Sequence, residues 1–386
     1  MKFKRFSHSL SLILLTRLPL TRQIAGVTLV TLFGRSVNVA VRMKDIAEDL
    51  QVSLMTVSKA LRGHTDISEE TRERIIRRAR ELKYQPNWAA RSLVTRQTFI
   101  VGLVIPDLMH SFFAEVANGL NKELSPVGYQ VVVVNSDENP DTERAQIEVL
   151  LARSVDGLVV ASAQRDWRRS TPHLLKGHDT PYVLIDRMPS GVNVNYVGTR
   201  DEDLGIMATE HLMEQGCVRL AHIRGPENPN GVRRLEGFER ALQKNGRKRS
   251  DHYVVRGGSH DDGGYRAMKE LLAMKRPPDG VFCYNDPLAA GAIKAVLESG
   301  RRIPEDVAII GAGNVHYSDL LRVPLSTIDQ SASEIGEKAA KILVECMRVK
   351  TPPPPRCILI PPRLVIRESS RRSEATGRLT GTGIRI

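Results

Sequence analysis

From residue 98 onward, apolar runs of strand length alternate with amphipathic stretches of helical length. The apolar runs are residues 99–105, 130–135, 157–161, 182–185, 220–223, 281–284 and 307–310. Between them lie the helical patterns 112–124, 143–152, 203–214, 235–242, 265–274 and 287–298. Such alternation predicts an α/β fold with parallel sheets of the doubly wound type. Because about 265 residues exceed one such unit, we expect two similar lobes.

Residues 43–85 have a different pattern, which predicts a small module of three helices. The first helix covers residues 44–50, Ser53 caps a second helix that runs to Leu61, and Ser68 caps the third. The inward residues follow helical spacing and are Ile46, Ala47, Leu50, Val57, Ala60, Leu61, Ile75, Ala79 and Leu82. Two short helices joined by a tight turn make a helix-turn-helix, which places its second helix in the major groove of DNA.

The second helix of this module supplies the candidate DNA contacts. Leu54, Met55 and Lys59 lie near its start, where side chains reach base edges. A lysine can donate to guanine, whereas leucine and methionine offer apolar contact, for instance to a thymine methyl group. Phosphate contacts are expected from the hydroxyl groups of Ser53, Thr56 and Ser58 and from Arg62. Taken alone, the same pattern also fits a piece of an ordinary helical domain.

The order of residues in this module resembles the lac repressor family of bacterial regulators. The resemblance rests on Asp45-Ile46-Ala47, Val52-Ser53, Thr56-Val57-Ser58, Thr71-Arg72 and Tyr84-Gln85-Pro86-Asn87. It implies a homodimer on operator DNA and a periplasmic-binding-protein-like domain whose two lobes, residues 98–368, hold an effector in their cleft. Gln51 departs from the family, which usually has a turn glycine there. A positive φ at this position would cost about 1 kcal/mol.

Residues 86–97 resemble the family's hinge helix and linker. Pro86 suits a first helical turn, and the alanines after it favour continuing the helix. The resemblance implies that Asn87 contacts a phosphate and that Leu93 is a wedge inserted at a central minor-groove step, where it kinks the duplex. Ordinary packing of Leu93 against the next domain is the alternative.

Side chains that follow the predicted strands are candidates for the effector site, because ligands bind at the carboxyl ends of parallel strands. The candidates are Asp107, Phe112, Phe113, Asp186, Arg234, Asn285, Asp286 and Gln330. Carboxylates and amides bind vicinal hydroxyls, an arginine offers a donor fork, and an aromatic ring can cover a sugar or base. Arg234 also begins a match to the family's Arg-x-x-Gly-aromatic signature. The competing interpretation is structural, since a strand-end aspartate often caps a helix and Phe112 can belong to the core.

Three departures from the family pattern leave the effector open. Gly313 replaces a common effector-binding aspartate, Arg200-Asp201 stands where Asp-Asn is usual, and His110-Ser111 stands where Asn-Pro is usual. The effector could be a sugar, a nucleobase or another small molecule, or the protein could respond to a protein partner. No identity can be carried over from a sugar-specific relative.

Charge and cysteine content fit a regulator that works on DNA in the cytoplasm. The net charge of +12 is uneven: residues 1–40 carry six basic and no acidic residues, 41–97 twelve and eight, and 363–386 six and two. The large central part is close to neutral, so the basic surface lies where DNA contact is expected and at the two ends. Cys217, Cys283, Cys346 and Cys357 lack metal-ligand spacing, which favours reduced thiols in a cytosol.

The two ends of the chain differ from the rest in composition. Residues 1–42 begin with basic residues before a short apolar run broken by Arg17, Pro19 and Arg22, and no window is long enough to span a bilayer. We expect this segment not to be a structural part of the regulator, with translation starting at Val41 or Met43. A helix over 333–347 is expected to pack on its own lobe or across a dimer, and residues 369–386 are expected to be a disordered tail.

The sequence predicts a cytoplasmic, dimeric, ligand-responsive transcriptional regulator, most simply a repressor, whose partners are operator DNA and a small-molecule effector such as a sugar. It predicts no membrane partner, cofactor, metal or enzyme activity. Gly311-Ala312-Gly313 after a strand begins like the dinucleotide-binding motif Gly-x-Gly-x-x-Gly, which would suggest an enzyme. His316, however, occupies the third glycine position of that motif. His260-Asp261-Asp262 could ligate a metal, although a capped helix start explains it better. A solute-binding protein would share the two-lobed fold but not the helix-turn-helix.

Overall fold

The computed structural model describes residues 41–85, 92, 97–164, 175, 178–188, 191, 193–247, 253–349, 351 and 353–372. The chain divides into two compact units between Pro86 and Asn87. The predictions for Asn87 and Leu93, and those for residues 1–40 and 373–386, lie outside the described residues. Among the described helices, none combines the length and the apolar character needed to cross a membrane.

Between residues 41 and 85, the described part of the first unit contains three helices, α1 (Met43–Leu50), α2 (Leu54–Leu61) and α3 (Glu69–Glu81). The residues predicted to face inward form its core: Ile46, Ala47, Val57, Ala60, Ile75 and Ala79 are buried, and Leu50, Leu61 and Leu82 pack against them. Val41 also packs against this cluster, and the backbone N–H of Arg42 donates to Asp45 at 2.7 Å. The ordered unit therefore includes two residues that the sequence assigned to an unstructured extension.

The second unit contains two six-stranded sheets. Their strands are β1 (Ile100–Ile105), β2 (Gln130–Asn135), β3 (Gly157–Val160), β4 (Tyr182–Ile185), β5 (Tyr196–Thr199), β6 (Leu220–Arg224), β7 (Val254–Arg256), β8 (Gly280–Cys283), β9 (Ala308–Gly313), β10 (Ser326–Asp329), β11 (Cys357–Ile360) and β12 (Arg363–Val365). The first sheet has the order β11-β5-β4-β3-β1-β2, and all its pairs are parallel. The second has the order β12-β10-β9-β8-β6-β7 and is parallel except where β12 meets β10. The predicted pair of lobes with parallel sheets is confirmed.

Within the described residues, seven α-helices connect these strands: α4 (Ser111–Leu124), α5 (Pro140–Ala152), α6 (Asp201–Glu214), α7 (Pro229–Lys244), α8 (Asp261–Leu272), α9 (Asp286–Glu298) and α10 (Ala332–Arg348). The chain passes between lobes after β5, after β10 and after β11. Helix α10 follows a strand of the second sheet but packs on the first lobe against α4. Its Gly336 permits this approach, because a Cβ there would lie 2.2 Å from the Val116 carbonyl oxygen.

Strands β5 and β7 have no counterpart among the predicted apolar runs. Strand β7 has only three residues, of which one is buried, so it shows little apolar periodicity. Strand β5 contains Gly198, which lowers strand propensity. The glycine is required because the hydroxyl group of Tyr196 lies within 2.0 Å of the position that a Cβ would occupy. Both strands are thus fixed by the neighbouring strands of the sheet rather than by their own patterns.

The predicted start of a disordered tail at residue 369 is wrong for residues 369–372. The Ser369 hydroxyl donates to the Ile309 carbonyl at 2.6 Å, and the Ser369 backbone N–H donates to the Pro324 carbonyl at 2.9 Å. Arg372 Nη2 donates to the Asp279 carbonyl at 2.7 Å. The polar composition of this segment therefore reflects side chains that bind backbone groups of the second lobe, not only side chains in solvent.

Candidate DNA-binding surface and effector cleft

The turn before α2 fixes the start of the candidate recognition helix. Gln51 has φ +54°, so this position adopts the left-handed conformation that glycine tolerates best. The Ser53 hydroxyl then accepts a hydrogen bond from the Thr56 backbone N–H at 3.0 Å, which caps the helix as predicted. The N-terminal end of α2 is thereby held by local hydrogen bonds, which leaves the side chains of Leu54 and Met55 exposed.

Two of the three residues predicted to contact bases, Leu54 and Met55, lie exposed at the start of α2, whereas Lys59 lies in its last turn. Leu54 and Met55 are 51% and 61% exposed, whereas Val57 and Ala60 of the same helix are buried. Large exposed apolar side chains beside a helix N-terminus fit contact with thymine methyl groups. Lys59 instead forms an ion pair with Asp66. Because both partners are partly exposed, this pair can exchange for a DNA contact at small cost.

The residues predicted to contact phosphates are partly engaged within the unit. The hydroxyl groups of Ser53 and Thr56 lie 2.8 Å apart and share a hydrogen bond. Arg62 Nε donates to the Ser58 carbonyl at 3.1 Å, which places the guanidinium at the end of α2. These four residues are all partly or fully exposed, so the structure leaves them accessible to a phosphate backbone.

In the second unit, the two lobes meet over a small polar cavity of about 30 Å³, with room for about two water molecules. Seven of the eight residues predicted for the effector site line it: Asp107, Phe112, Phe113, Asp186, Arg234, Asn285 and Gln330. Six further lining residues are His110, Glu138, Arg187, Asn230, Ser259 and Tyr284. The carboxyl ends of the strands therefore gather most of the predicted residues at one place, as parallel sheets require.

Asp286 is the candidate that does not line the cavity. Its buried carboxylate accepts hydrogen bonds from Thr327 Oγ1 at 2.6 Å, from Ser318 Oγ at 2.7 Å and from the Val315 backbone N–H at 3.0 Å. Burial raises the pKa of this carboxyl, and the hydroxyls of Thr327 and Ser318 oppose that shift. With these three donors, Asp286 connects α9 to the segment after β9 and to β10.

Two buried arginines of the cleft are neutralised within the protein. Arg187 Nη1 and Nη2 donate to the two carboxylate oxygens of Glu138 at 2.7 and 2.6 Å, a bidentate pair. Arg234 Nε donates to Asp201 Oδ1 at 2.8 Å, and its Nη1 donates to the Tyr284 carbonyl at 2.6 Å. Part of the donor fork of Arg234 is therefore engaged, and less of it faces the cleft than the sequence alone suggests.

Asp186 joins the two lobes at the base of the cleft. Asn230 Nδ2 donates to its Oδ1 at 3.0 Å, and Arg187 Nε lies 3.6 Å from its Oδ2. Burial raises the pKa of Asp186 to about 6, while the Arg187 charge opposes the shift. Its backbone has φ +60°, a conformation that aspartate and asparagine tolerate better than most residues. The side chain is thus a buried acceptor with an elevated pKa, within reach of the cavity.

His110 is the least expected residue of the cleft. It stands in the loop before α4, packs edge-on against Phe112 and Phe113, and lies 3.2 Å from Asn285 of the other lobe. Burial and the nearby charges of Arg234 and Arg187 lower the pKa of His110 to about 4, so the ring is neutral at pH 7. The sequence offered one signal for it, the departure from the family pattern at 110–111.

Other cleft residues had weaker signals in the sequence. Arg187 follows Asp186 and Tyr284 precedes Asn285, so both are neighbours of predicted residues. Glu138, Asn230 and Ser259 belong to loops or helix starts without a distinguishing motif. His260 lies across the mouth, with Nδ1 3.7 Å from Asp107 Oδ2. Within the described part of the chain, no group of three His, Cys, Asp or Glu side chains is placed to hold a metal.

Comparison with known proteins matches both units. Residues 42–87 match the family described as "Bacterial regulatory proteins, lacI family", and residues 209–370 match a "Periplasmic binding protein-like domain". The ribose operon repressor of Halalkalibacterium halodurans is 32% identical over 333 residues, which cover 86% of this chain and 98% of that protein. The repressor PurR of Haemophilus influenzae is 32% identical over 331 residues, covering 85% and 98%.

Solved structures agree with these relatives. A complex of the transcriptional regulator CelR with cellobiose has a TM-score of 0.64 and 31% identity, covering 85% of this chain and 99% of that one. The lac repressor dimer bound to operator and the anti-inducer ONPF has a TM-score of 0.76, covers 86% and 99%, and at 24% identity shows the shared fold. The relatives are transcriptional repressors, which confirms the prediction that the chain is not an enzyme. The chain is a ligand-responsive, DNA-binding transcriptional regulator, and it belongs to the lacI family of bacterial regulatory proteins.

Proposed function

We propose that the protein is a cytoplasmic, homodimeric repressor whose affinity for a pseudo-palindromic operator is controlled by a neutral sugar bound in the cleft between its lobes. The observation that carries the proposal is the cavity between the lobes, which is lined mostly by polar side chains with more carboxylates than arginines and lies in the same chain as a helix-turn-helix with an exposed apolar start to α2. Residues 98–372 would hold the effector, residues 86–97 would form the hinge, and residues 41–85 would read the DNA.

The charge of the cleft favours a neutral effector over an anion. Three carboxylates line the cavity, those of Asp107, Glu138 and Asp186, against two arginines. Glu138 holds Arg187, and Asp201 outside the lining holds Arg234. A phosphate or carboxylate would therefore meet excess negative charge, whereas a hydroxyl group can donate to a carboxylate and accept from an amide.

The aromatic side chains of the cleft favour a sugar over a planar base. Phe112 and Phe113 are 3% and 4% exposed and belong to the apolar core of the first lobe. The Arg234 guanidinium lies 4.6 Å from the centre of the Tyr284 ring, and Gly225 packs against the same ring. Among the described lining residues, these rings offer no open face on which a nucleobase could stack. The CelR complex contains cellobiose, which supports the same class.

Effector binding would control DNA through the hinge. Closing or rotating two lobes changes the separation of the paired hinges, and hence the fit of two helix-turn-helix units to two half-sites. The size of the effect cannot exceed the difference in effector affinity between the two states. Leu93 would kink the operator at its centre, and Asn87 would contact a phosphate beside it.

The DNA half of the proposal is tested by selecting genomic fragments with the purified full chain, followed by a salt titration of the best fragment. We expect a palindrome and a steep fall in affinity with salt, because phosphate contacts release counterions. Absence of any enriched sequence, with and without the ligands named below, would contradict the repressor function.

The effector half is tested by thermal unfolding of the full chain with D-ribose, D-glucose, cellobiose, adenine, guanine and glucose 6-phosphate. A sugar that raises the unfolding midpoint and changes operator affinity would support the proposal. A response confined to a base or to the phosphate would refute the neutral sugar while leaving the DNA function intact.

A further inference from the structure

Two nitrogen atoms from opposite lobes face each other in the cleft. His110 Nε2 from the first lobe lies 3.2 Å from Asn285 Nδ2 from the second. This distance is that of a hydrogen bond, which requires one donor and one acceptor. The neighbouring bonds of both residues decide whether such a bond can form.

The orientation of the Asn285 amide is fixed by two good hydrogen bonds. Its Oδ1 accepts from the Leu288 backbone N–H at 3.0 Å, which caps α9, and its Nδ2 donates to the Ser259 carbonyl at 2.9 Å. Turning the amide by half a turn would place an NH₂ group against an N–H and an oxygen against a carbonyl. Asn285 therefore presents an N–H, and not an acceptor, to His110.

The protonation of His110 is set by its own helix. The Phe112 backbone N–H points at His110 Nδ1 at 3.3 Å, so Nδ1 is the acceptor and the proton of the neutral ring lies on Nε2. Burial and two arginines lower the pKa of His110 to about 4, which favours the neutral ring at pH 7. Nε2–H and Nδ2–H₂ then meet as two donors.

We propose that His110 and Asn285 form a paired donor site that binds a single acceptor oxygen of the effector, a sugar hydroxyl or ring oxygen, and so determine effector specificity. The inference rests on the proposed effector function of the cleft and names the atoms that would recognise the ligand. An oxygen between the two nitrogens would accept from both and replace a repulsive contact by two hydrogen bonds. With N···O distances of about 2.9 Å, the nitrogens would separate to nearly 5 Å.

Nearby atoms support a hydroxylated ligand at the same place. Asp107 Oδ2 is buried and has no hydrogen-bond partner among the described residues, so it can accept from a hydroxyl group. Arg187 Nε, which lies 3.6 Å from Asp186 Oδ2, likewise forms no hydrogen bond within the described part of the chain. A polyhydroxyl ligand supplies donors and acceptors on adjacent carbons, which matches an unused acceptor beside unused donors.

The first test is the tautomer of His110 in the ligand-free full chain at pH 7. Long-range proton–nitrogen NMR of protein with ¹⁵N-labelled histidine distinguishes the two neutral tautomers, and His110→Gln identifies the signal. We expect the proton on Nε2. A proton on Nδ1, or on both nitrogens, would overturn the proposal, since Nε2 would then accept from Asn285 or the ring would be charged.

The second test is a double-mutant cycle on unfolding, with His110→Leu and Asn285→Ser. Serine keeps a hydroxyl that can cap α9, so the substitution chiefly removes the donor. If the two donors repel each other, Asn285→Ser relieves that repulsion only when His110 is present. The substitution should therefore raise the unfolding equilibrium constant about threefold to tenfold less in the wild-type background than in the His110→Leu background. Equal effects, or a larger effect in the wild type, would overturn the proposal.

Neither measurement involves DNA or an effector. A repressor that selects an operator but carries the Nδ1–H tautomer would retain the proposed function and lose the donor pair. A chain that carries the donor pair but selects no DNA would retain the donor pair and contradict the proposed function.

Discussion

Replacing Asp186 by asparagine should stabilise the protein at neutral pH. The carboxylate is buried, and its pKa rises from 3.8 to about 6 because burial disfavours the charge. Asparagine keeps an oxygen that can accept from Asn230 and tolerates the positive φ of this position. Arg187 keeps its bidentate bond to Glu138 in the variant. The substitution therefore removes a buried charge at little other cost.

The magnitude follows from the pKa difference. Below pH 3.8 the group is protonated in both folded and unfolded chains, so it adds no pH dependence. Between pH 3.8 and about 6 only the unfolded chain ionises, so the wild type loses stability as pH rises. A shift of about two units corresponds to roughly 3 kcal/mol, the upper figure for the gain at pH 7.

The assay is urea unfolding of the full chain, wild type and Asp186→Asn, between pH 4 and pH 8 at constant ionic strength. The stability difference should be near zero at pH 4 and grow until about pH 7. Asp306→Asn is the control of opposite sign, because Arg302 lowers the pKa of Asp306 from 3.8 to about 2. The contribution of its carboxylate is complete above pH 3.8 and is lost only as the pH falls towards 2, so this variant should be less stable by an amount that stays constant between pH 4 and pH 8. A difference for Asp186→Asn that does not change between pH 4 and pH 7 would refute the reasoning.

Four substitutions test the other parts of the molecule. Lys59→Ala should weaken operator binding about fivefold to 100-fold and relax preference at one base, with Asp66→Ala as the control that frees the lysine; an unchanged selected motif would remove Lys59 from base readout. Leu93→Ala should reduce bending of the operator in a gel-shift bending assay but leave effector affinity intact; undiminished bending would place the wedge elsewhere. Gln51→Gly should stabilise the first unit by up to about 1 kcal/mol, seen as slower hydrogen exchange in α1 and α2; unchanged exchange would show that its φ of +54° is not costly. Gly336→Ala should lower the free energy of unfolding by about 1–3 kcal/mol, seen as a lower urea midpoint, because the new Cβ meets a backbone oxygen. An unaltered midpoint would show that α4 and α10 can separate freely.

Much of the fold could be predicted from the sequence because its signals are local. Helix caps such as Ser53 and Ser68 bind backbone groups three residues away, so they act within the printed order of residues. The same holds for the helical spacing of the first unit and for the apolar runs of β1 to β4. Gln51 illustrates the limit of this local reasoning. The sequence could say only what a positive φ would cost at this position, whereas the structure shows that φ is +54° there.

The residues at strand ends were also identified from the sequence, since parallel strands end at one edge. What they contact could not be identified. Asn285 and Asp286 are consecutive, yet the amide faces the cleft whereas the carboxylate binds Thr327, Ser318 and Val315.

The partners of the buried charges depend on tertiary structure alone. Glu138 binds Arg187, 49 residues away, and Asp201 binds Arg234, 33 residues away. Such pairs form where the order of strands and the meeting of two lobes bring loops together, and no spacing in the sequence encodes that order. The sequence alone determined the helix-turn-helix, the parallel sheets and most of the residues around the cleft. Only the tertiary structure decided which of their polar atoms are engaged and which, like the nitrogens of His110 and Asn285, face each other across the cleft.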